Sequence, residues 1–285
     1  MRLYQNLFSL LVLIVFLTGC QTAQKKVIGG VTSTSGNQTE IWKYTPTKNQ
    51  KQTTIVYMHG KAASPNSPHN ASFINKMYAL GYEVIAPIMP WSPLQNYEGS
   101  LQDGYDAIDT AIEKASYSKV IVAGHSMGGI AVFQYGSGKV NPKVKGLIPI
   151  APGHDPNISK GLRSHTEKDA DKACIAMESG DAKKRSSYKE MKSGKTYYIN
   201  ASAEYYCTHY NKKYYPNSLE IAKDIKTPIF LLSGKGDKLT RHYRHHDIFT
   251  SFPSLASNRH EVLSGGHGDV LYRHTDILSE WIDSL

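Results

Sequence analysis

From about residue 40 onward, short runs of β-branched and aromatic residues alternate with segments whose apolar positions recur at helical spacing. Residues 40–44, 53–58, 82–86, 119–123, 144–150, 228–233 and 259–263 are predicted strands, and 72–80, 101–115, 127–135, 242–252 and 269–284 are predicted helices. In the segment 101–115, Leu101, Tyr105, Ile108 and Ile112 share one helical face, which must pack on a sheet. Strand–helix alternation of this kind predicts an α/β fold, with a mostly parallel central sheet covered by helices on both faces.

Residues 152–225 interrupt the alternation. They are polar, rich in Lys, Ser and Tyr, and too long for a plain connection, so an inserted cap is expected over the carboxyl ends of the strands. Short helices are predicted inside it around 167–179 and 218–225.

The first residues follow another pattern. Arg2 is a short basic start, residues 7–17 are almost unbroken apolar sequence, and Leu17-Thr18-Gly19-Cys20 closes the run. An apolar stretch this short suits a secretory signal rather than a spanning helix. Its end resembles the bacterial lipoprotein signal, in which the thiol is acylated and becomes the mature N-terminus. The resemblance implies a signal peptide over 1–19, lipidation at Cys20, and a Gln/Thr/Ser-rich tether over 20–38 leading to the domain at 39–285. Gln21 after the cysteine implies the outer membrane, or the periplasmic face of the envelope, if two membranes are present. A plain signal peptide or an uncleaved anchor is the alternative.

Composition adds little to this picture: 285 residues with 40% hydrophobic and 20% charged is that of an ordinary globular chain, neither disordered nor repetitive. The formal net charge of +9, from which removal of residues 1–19 takes only Arg2, favours anionic surroundings. No basic stripe with interleaved aromatics accompanies a nucleic-acid motif, so the expected partner is a membrane or envelope surface and not nucleic acid. Residues 159–195 carry a net charge of about +4, which suits a solvated face. With Cys20 assigned to lipid, Cys174 and Cys207 remain in a compartment that permits a disulfide; the alternative is two buried, inert thiols.

The chemistry centres on Gly124-His125-Ser126-Met127-Gly128-Gly129. A bare G-x-S-x-G decides little, but here a buried-type strand at 119–123 precedes it and a helical run beginning Ile130-Ala131-Val132-Phe133 follows. A strand–turn–helix corner of this kind strains the serine backbone and exposes its hydroxyl, and it leaves no room for side chains at Gly124 and Gly128. Ser126 is therefore the candidate nucleophile. A serine hydroxyl needs a base, and Ser264-Gly265-Gly266-His267-Gly268-Asp269 presents His267 in a glycine loop after the last strand; His260, inside a strand, is a weak rival. The base in turn needs a carboxylate to fix its tautomer. Asp237, in the loop after the strand 228–233, arrives in the order Ser, Asp, His, with Asp155 as the nearest alternative. Two N–H donors are required for the tetrahedral oxyanion. Met127 supplies one, and the loop His59-Gly60-Lys61-Ala62 supplies the other through Lys61, or failing that Ala62, with His59 holding the loop.

His59-Gly60, residues 124–129, Asp237 and His267 together resemble the α/β-hydrolase family of esterases, lipases, thioesterases and some peptidases. The resemblance runs from about residue 40 to the C-terminus. It implies a serine hydrolase that forms an acyl-enzyme, needs no metal or organic cofactor, and acts as a monomer on a small-molecule or lipid-like acyl substrate. Residues 86–92, Ala86-Pro87-Ile88-Met89-Pro90-Trp91-Ser92, stand where many members carry a D-x-P-G-x-G turn, which points to a poorly characterised bacterial branch. A carboxylic ester leads as substrate. Amide or thioester cleavage, acyl transfer, and a catalytically idle envelope-binding protein stay open. His242, His245 and His246 fall at helical spacing, as a metal site or, preferably, a solvated helix face. The tyrosines at 205, 206, 210, 214 and 215 suit cap packing better than an aromatic groove.

Overall fold

The computed structural model describes residues 23–32, 38–192 and 195–285. An eight-stranded sheet runs through it in the order β1-β2-β4-β3-β5-β6-β9-β10. Its strands are β1 (Lys26–Thr32), β2 (Gln38–Tyr44), β3 (Thr53–Met58), β4 (Glu83–Pro87), β5 (Lys119–His125), β6 (Val144–Ile150), β9 (Phe230–Gly234) and β10 (Arg259–Leu263). The ladders from β4 through β10 are parallel, and β1 and β2 are added antiparallel at one edge. In β3 every side chain is buried: Ile55 and Tyr57 enter one core, Val56 and Met58 the other. A strand with no solvent face must be central and covered on both sides.

Helices supply that cover. On one face, α1 (Pro68–Ala79), α9 (Val270–Arg273) and α10 (Thr275–Ser284) bring Phe73, Met77, Val270, Leu278 and Trp281 against the sheet. On the other, α2 (Leu101–Glu113) and α3 (Met127–Ser137) bury Leu101, Ile108, Ile112, Ile130 and Phe133. The start of α2 is set by a capping box: Ser100 Oγ accepts the Asp103 N–H at 3.2 Å and Asp103 Oδ2 accepts the Ser100 N–H at 2.7 Å.

Between β6 and β9 the chain forms α4 (Lys160–Glu178), a hairpin of β7 (Arg185–Lys192) and β8 (Lys195–Ser202), α5 (Ala203–Tyr210) and α6 (Ser218–Ile221). Cys174 on α4 and Cys207 on α5 are joined by a disulfide with an S–S distance of 2.08 Å. The insertion rests on loops at the carboxyl ends of the parallel strands; Ser202 N–H, for example, donates to Tyr97 O at 3.2 Å. Asp155 closes its base: Oδ1 accepts the Asn157 N–H at 2.7 Å and Oδ2 accepts the Ser218 N–H at 2.9 Å, from opposite ends of the insertion. That bonding makes Asp155 the loop residue that opens the cap.

Several expectations need correction. The sequence expected as tether includes β1, whose Val27 pairs with Trp42 while Lys25 Nζ lies 3.7 Å from the Trp42 ring centroid. The helix expected over 242–252 is broken into α7 (Leu239–His242) and α8 (His245–Thr250), because Arg244 turns left-handed at φ 54°. His245 is not on a solvated face: it is buried, bonding Ser233 Oγ at 2.8 Å and donating from Nε2 to Pro152 O at 2.7 Å. His242 turns instead to Ser159 Oγ at 2.6 Å, and among the described residues no three His, Cys, Asp or Glu side chains are grouped to hold a metal. The single helix expected over 269–284 divides at His274 into α9 and α10. The hairpin β7–β8 was not foreseen. The apolar leader, Cys20 and Gln21 lie outside the described residues; among those described, no helix is long and apolar enough to cross a membrane.

Candidate active site

Ser126 stands between the end of β5 and the start of α3 with φ 57° and ψ −116°. An L-residue holds that conformation only where its surroundings enforce it. Ser126 N–H donates to Ile150 O at 3.0 Å, and Ser126 O accepts the Gly153 N–H at 3.1 Å. The helix and strand meet too closely for any side chain at Gly128, where a Cβ would lie 2.4 Å from Met58 O and 2.8 Å from His59 O. The turn therefore thrusts the hydroxyl outward, and Ser126 is half-buried while both flanking residues are buried.

The hydroxyl meets His267 Nε2 at 2.9 Å, and His267 Nδ1 meets Asp237 Oδ2 at 2.8 Å. A carboxylate can only accept, so Nδ1 carries the proton and Nε2 offers its lone pair to the serine O–H. Asp237 is 2% exposed in its side chain and His267 33%, so the carboxylate is sealed while the imidazole is partly open to solvent. Burial pushes the Asp237 carboxyl up, but hydrogen bonds from His267 and the Leu239 N–H outweigh it and hold the group below its ordinary value. The loops carrying the two residues are tied together, with Gly236 N–H donating to Gly265 O at 2.8 Å. His260 lies elsewhere, bonded to Ser233 Oγ at 3.1 Å.

Of the expected oxyanion donors, Met127 N–H opens α3 directly after the serine. The loop after β3 comes against the same corner: a Cβ on Gly60 would lie 3.1 Å from Ser126 Cβ. Lys61 N–H follows in that loop and donates to no acceptor among the described residues, whereas Ala62 N–H is already engaged with Trp91 O at 3.0 Å. That distinction favours Lys61 over Ala62. His59 is fully buried and accepts the Met89 N–H on Nε2 at 3.1 Å, which places its own proton on Nδ1, donated to Gly60 O at 2.8 Å. Burial lowers its pKa to about 4, so it is neutral and structural.

Three contributors were not read from the sequence. The unusual segment after β4 is a brace for the loop at 59–63: Trp91 Nε1–H donates to His59 O at 2.8 Å and Ser92 Oγ–H to Ala63 O at 2.7 Å. His125, immediately before Ser126, donates from Nε2 to His267 O at 2.7 Å, and burial brings its pKa down to about 3. Glu190, on the unforeseen hairpin, accepts from Lys61 Nζ at 2.7 Å. No spacing rule marks the brace or Glu190; only the x of G-x-S-x-G marks His125. Gly153 stands between Ser126 and Leu239: a methyl on it would lie 3.8 Å from Ser126 Oγ and 3.3 Å from Leu239 Cδ1. Tyr205, Tyr206, Tyr210 and Tyr215 are buried within the insertion and make ring contacts there, as cap packing requires.

The fold has solved counterparts. The thioesterase domain from the curacin biosynthetic pathway is similar with a TM-score of 0.61 at 16% identity, covering 93% of this chain and 100% of that one. An esterase domain from a Rhodothermus marinus protein gives a TM-score of 0.63 at 14% identity over 90% and 97% of the two chains. Est1E from Butyrivibrio proteoclasticus gives 0.58 at 13% identity over 90% and 96%. At such identities the likeness is one of fold. No curated protein sequence matches the chain. Residues 92–268, a span that includes Ser126, Asp237 and His267, match the family described as serine aminopeptidase, S33, and the chain belongs to that family of α/β hydrolases.

Proposed function

We propose that this hydrolase cleaves carboxylic esters through an acyl-enzyme on Ser126. The observation that carries the reading is the unbroken relay from Ser126 Oγ through His267 to Asp237, at 2.9 and 2.8 Å. His267 Nε2 takes the hydroxyl proton as Oγ attacks the carbonyl carbon. The oxyanion then forms facing the N–H groups of Met127 and Lys61, a contribution worth about 3 kcal/mol for each donor. Collapse expels the alcohol, protonated by His267, and a water deprotonated by the same ring releases the acid. The apolar Leu239 side chain close to Gly153 suits an acyl chain. Anchoring to the envelope through lipid on Cys20 is part of the proposal; palmitate labelling that persists in Cys20→Ala would remove it.

The test is covalent labelling with a fluorophosphonate, followed by turnover of p-nitrophenyl esters of rising chain length and of aminoacyl anilides. Wild type is expected to label and to prefer the esters, Ser126→Ala not to label, and Asp237→Asn to lose about 10³-fold or more in kcat through the wrong histidine tautomer. A folded wild type that does not label overturns the reading. Preference for the anilides would replace ester with amide.

A further inference from the structure

The loop that offers Lys61 N–H to the oxyanion is held from two sides. Main-chain bonds to Trp91 and the ring of His59 fix it from the core. From the insertion, Glu190 on β7 accepts from Lys61 Nζ at 2.7 Å, and Met191 O accepts from the same ammonium at 3.0 Å. The Glu190 side chain is 1% exposed and the Lys61 side chain 16%. A carboxylate buried to that degree is unfavourable without its counter-charge, so the pair is formed wherever the hairpin is seated and lost wherever it lifts.

The position of Glu190 is unusual for the element it occupies. Tyr188 on β7 and Ile199 and Ala201 on β8 bury apolar side chains inward, and Glu190 joins them as the one carboxylate among these inward residues. A second tie holds the same hairpin at its other end, where Arg185 bonds Glu98 and donates to Asn96 O at 2.8 Å, both exposed. That outer tie secures the hairpin without touching the loop at 59–63. The partner that Glu190 finds is Lys61, the residue whose main-chain N–H is assigned above as the second oxyanion donor.

We propose that Glu190 is a positioning residue for the oxyanion hole: by clamping the Lys61 ammonium to β7 it sets the direction of the Lys61 N–H, so that the hole is complete only with the hairpin seated. The inference rests on the ester-hydrolase reading of the same site. Because the donor is a main-chain group, Lys61→Met removes the clamp and leaves the donor in place.

The experiment compares wild type with Lys61→Met, Glu190→Leu, the double variant, Glu190→Gln and Arg185→Gln. Fluorophosphonate labelling rate, kcat and KM on a short-chain ester, and thermal midpoint are measured for each. Lys61→Met and Glu190→Leu are expected to lose about tenfold or more in labelling rate and kcat with KM within about threefold, as a misdirected group in an otherwise intact site does. The double variant should lose no more than the worse single one, and Glu190→Gln, which keeps an acceptor oxygen, should fall between. Arg185→Gln should keep its kcat even where its thermal midpoint falls as far. Should Glu190→Leu fail to fold, Lys61→Met carries the same comparison. Unchanged labelling and turnover in Lys61→Met overturns the proposal, as does an equal loss in Arg185→Gln. Wild type that labels while the variants match it sinks the clamp alone; folded wild type that never labels sinks the hydrolase reading with it.

Discussion

His125 Nε2–H donates to the main-chain oxygen of His267 at 2.7 Å, and the two rings lie 4.9 Å apart, so the residue before Ser126 holds the loop that carries His267. The two are 142 positions apart in the chain. Their contact ties the His267 loop to the corner at Ser126.

Replacing His125 with Phe keeps a ring and removes the donor. The His267 carbonyl then loses its partner in a part-buried place, which costs about 1–3 kcal/mol of stability, and the base loosens against the serine. The kcat on an ester should fall about tenfold with little change in KM, since only the geometry of proton transfer is disturbed. Steady-state kinetics with a thermal melt check this. An unchanged kcat would show that the loop is held without the bond.

Acid should unfold this protein early. Burial lowers His59 to about 4, His125 to about 3 and His209 to about 4, from an ordinary 6.5. The folded chain keeps these rings neutral where the unfolded chain protonates them, so unfolding takes up protons once pH drops below 6.5. Their neutral burial is therefore without penalty above 6.5 and is increasingly opposed from there down to the folded values, by at most about 1.4 kcal/mol per pH unit for each ring. Asp237 acts lower: its folded pKa lies below 3.8, so its contribution is present above that value and is lost as pH falls beneath it. Urea midpoints taken from about pH 7 down to about pH 4 should fall steadily. A flat profile over that range would contradict the neutral burial of the three rings.

The Cys174–Cys207 bridge spans a separation of 33 residues, for which chain entropy gives a stabilisation of about 3 to 4 kcal/mol. The double variant Cys174→Ala/Cys207→Ala should lose an amount of that order, and reductant should lower the denaturation midpoint of wild type but not of the variant. Thiol titration of the non-reduced, denatured chain decides whether the bridge is there: reactive thiols at both positions would remove it.

The central architecture was legible because its signals are local. Residues 55–58 and 120–123 are apolar on both strand faces, the helix at 101–115 repeats its apolar residues on one side, and glycines crowd the corner at Ser126. Such features follow from the residues within one element, so neighbours along the chain suffice to read them. The relative order of Ser126, Asp237 and His267 belongs to the same class, since a parallel sheet brings successive strand-end loops to one edge. The hairpin β7–β8 hid for the opposite reason. Its inward Glu190 breaks the apolar alternation, and its counter-charge comes from Lys61, 129 positions away.

The chain as a string of residues thus specifies the layered α/β fold, the strained corner at Ser126 and the order in which Asp237 and His267 follow it, all from local pattern and order. It does not specify that His125 reaches His267, that Trp91 braces the loop after β3, that β1 joins the sheet edge, or that His245 is buried against Pro152. Those outcomes depend on which side chains meet after the sheet has assembled, and pairings between distant residues leave no periodicity to read. The contacts around Ser126 are accordingly a property of the packed loops, while the strained backbone of Ser126 is a property of its six-residue turn.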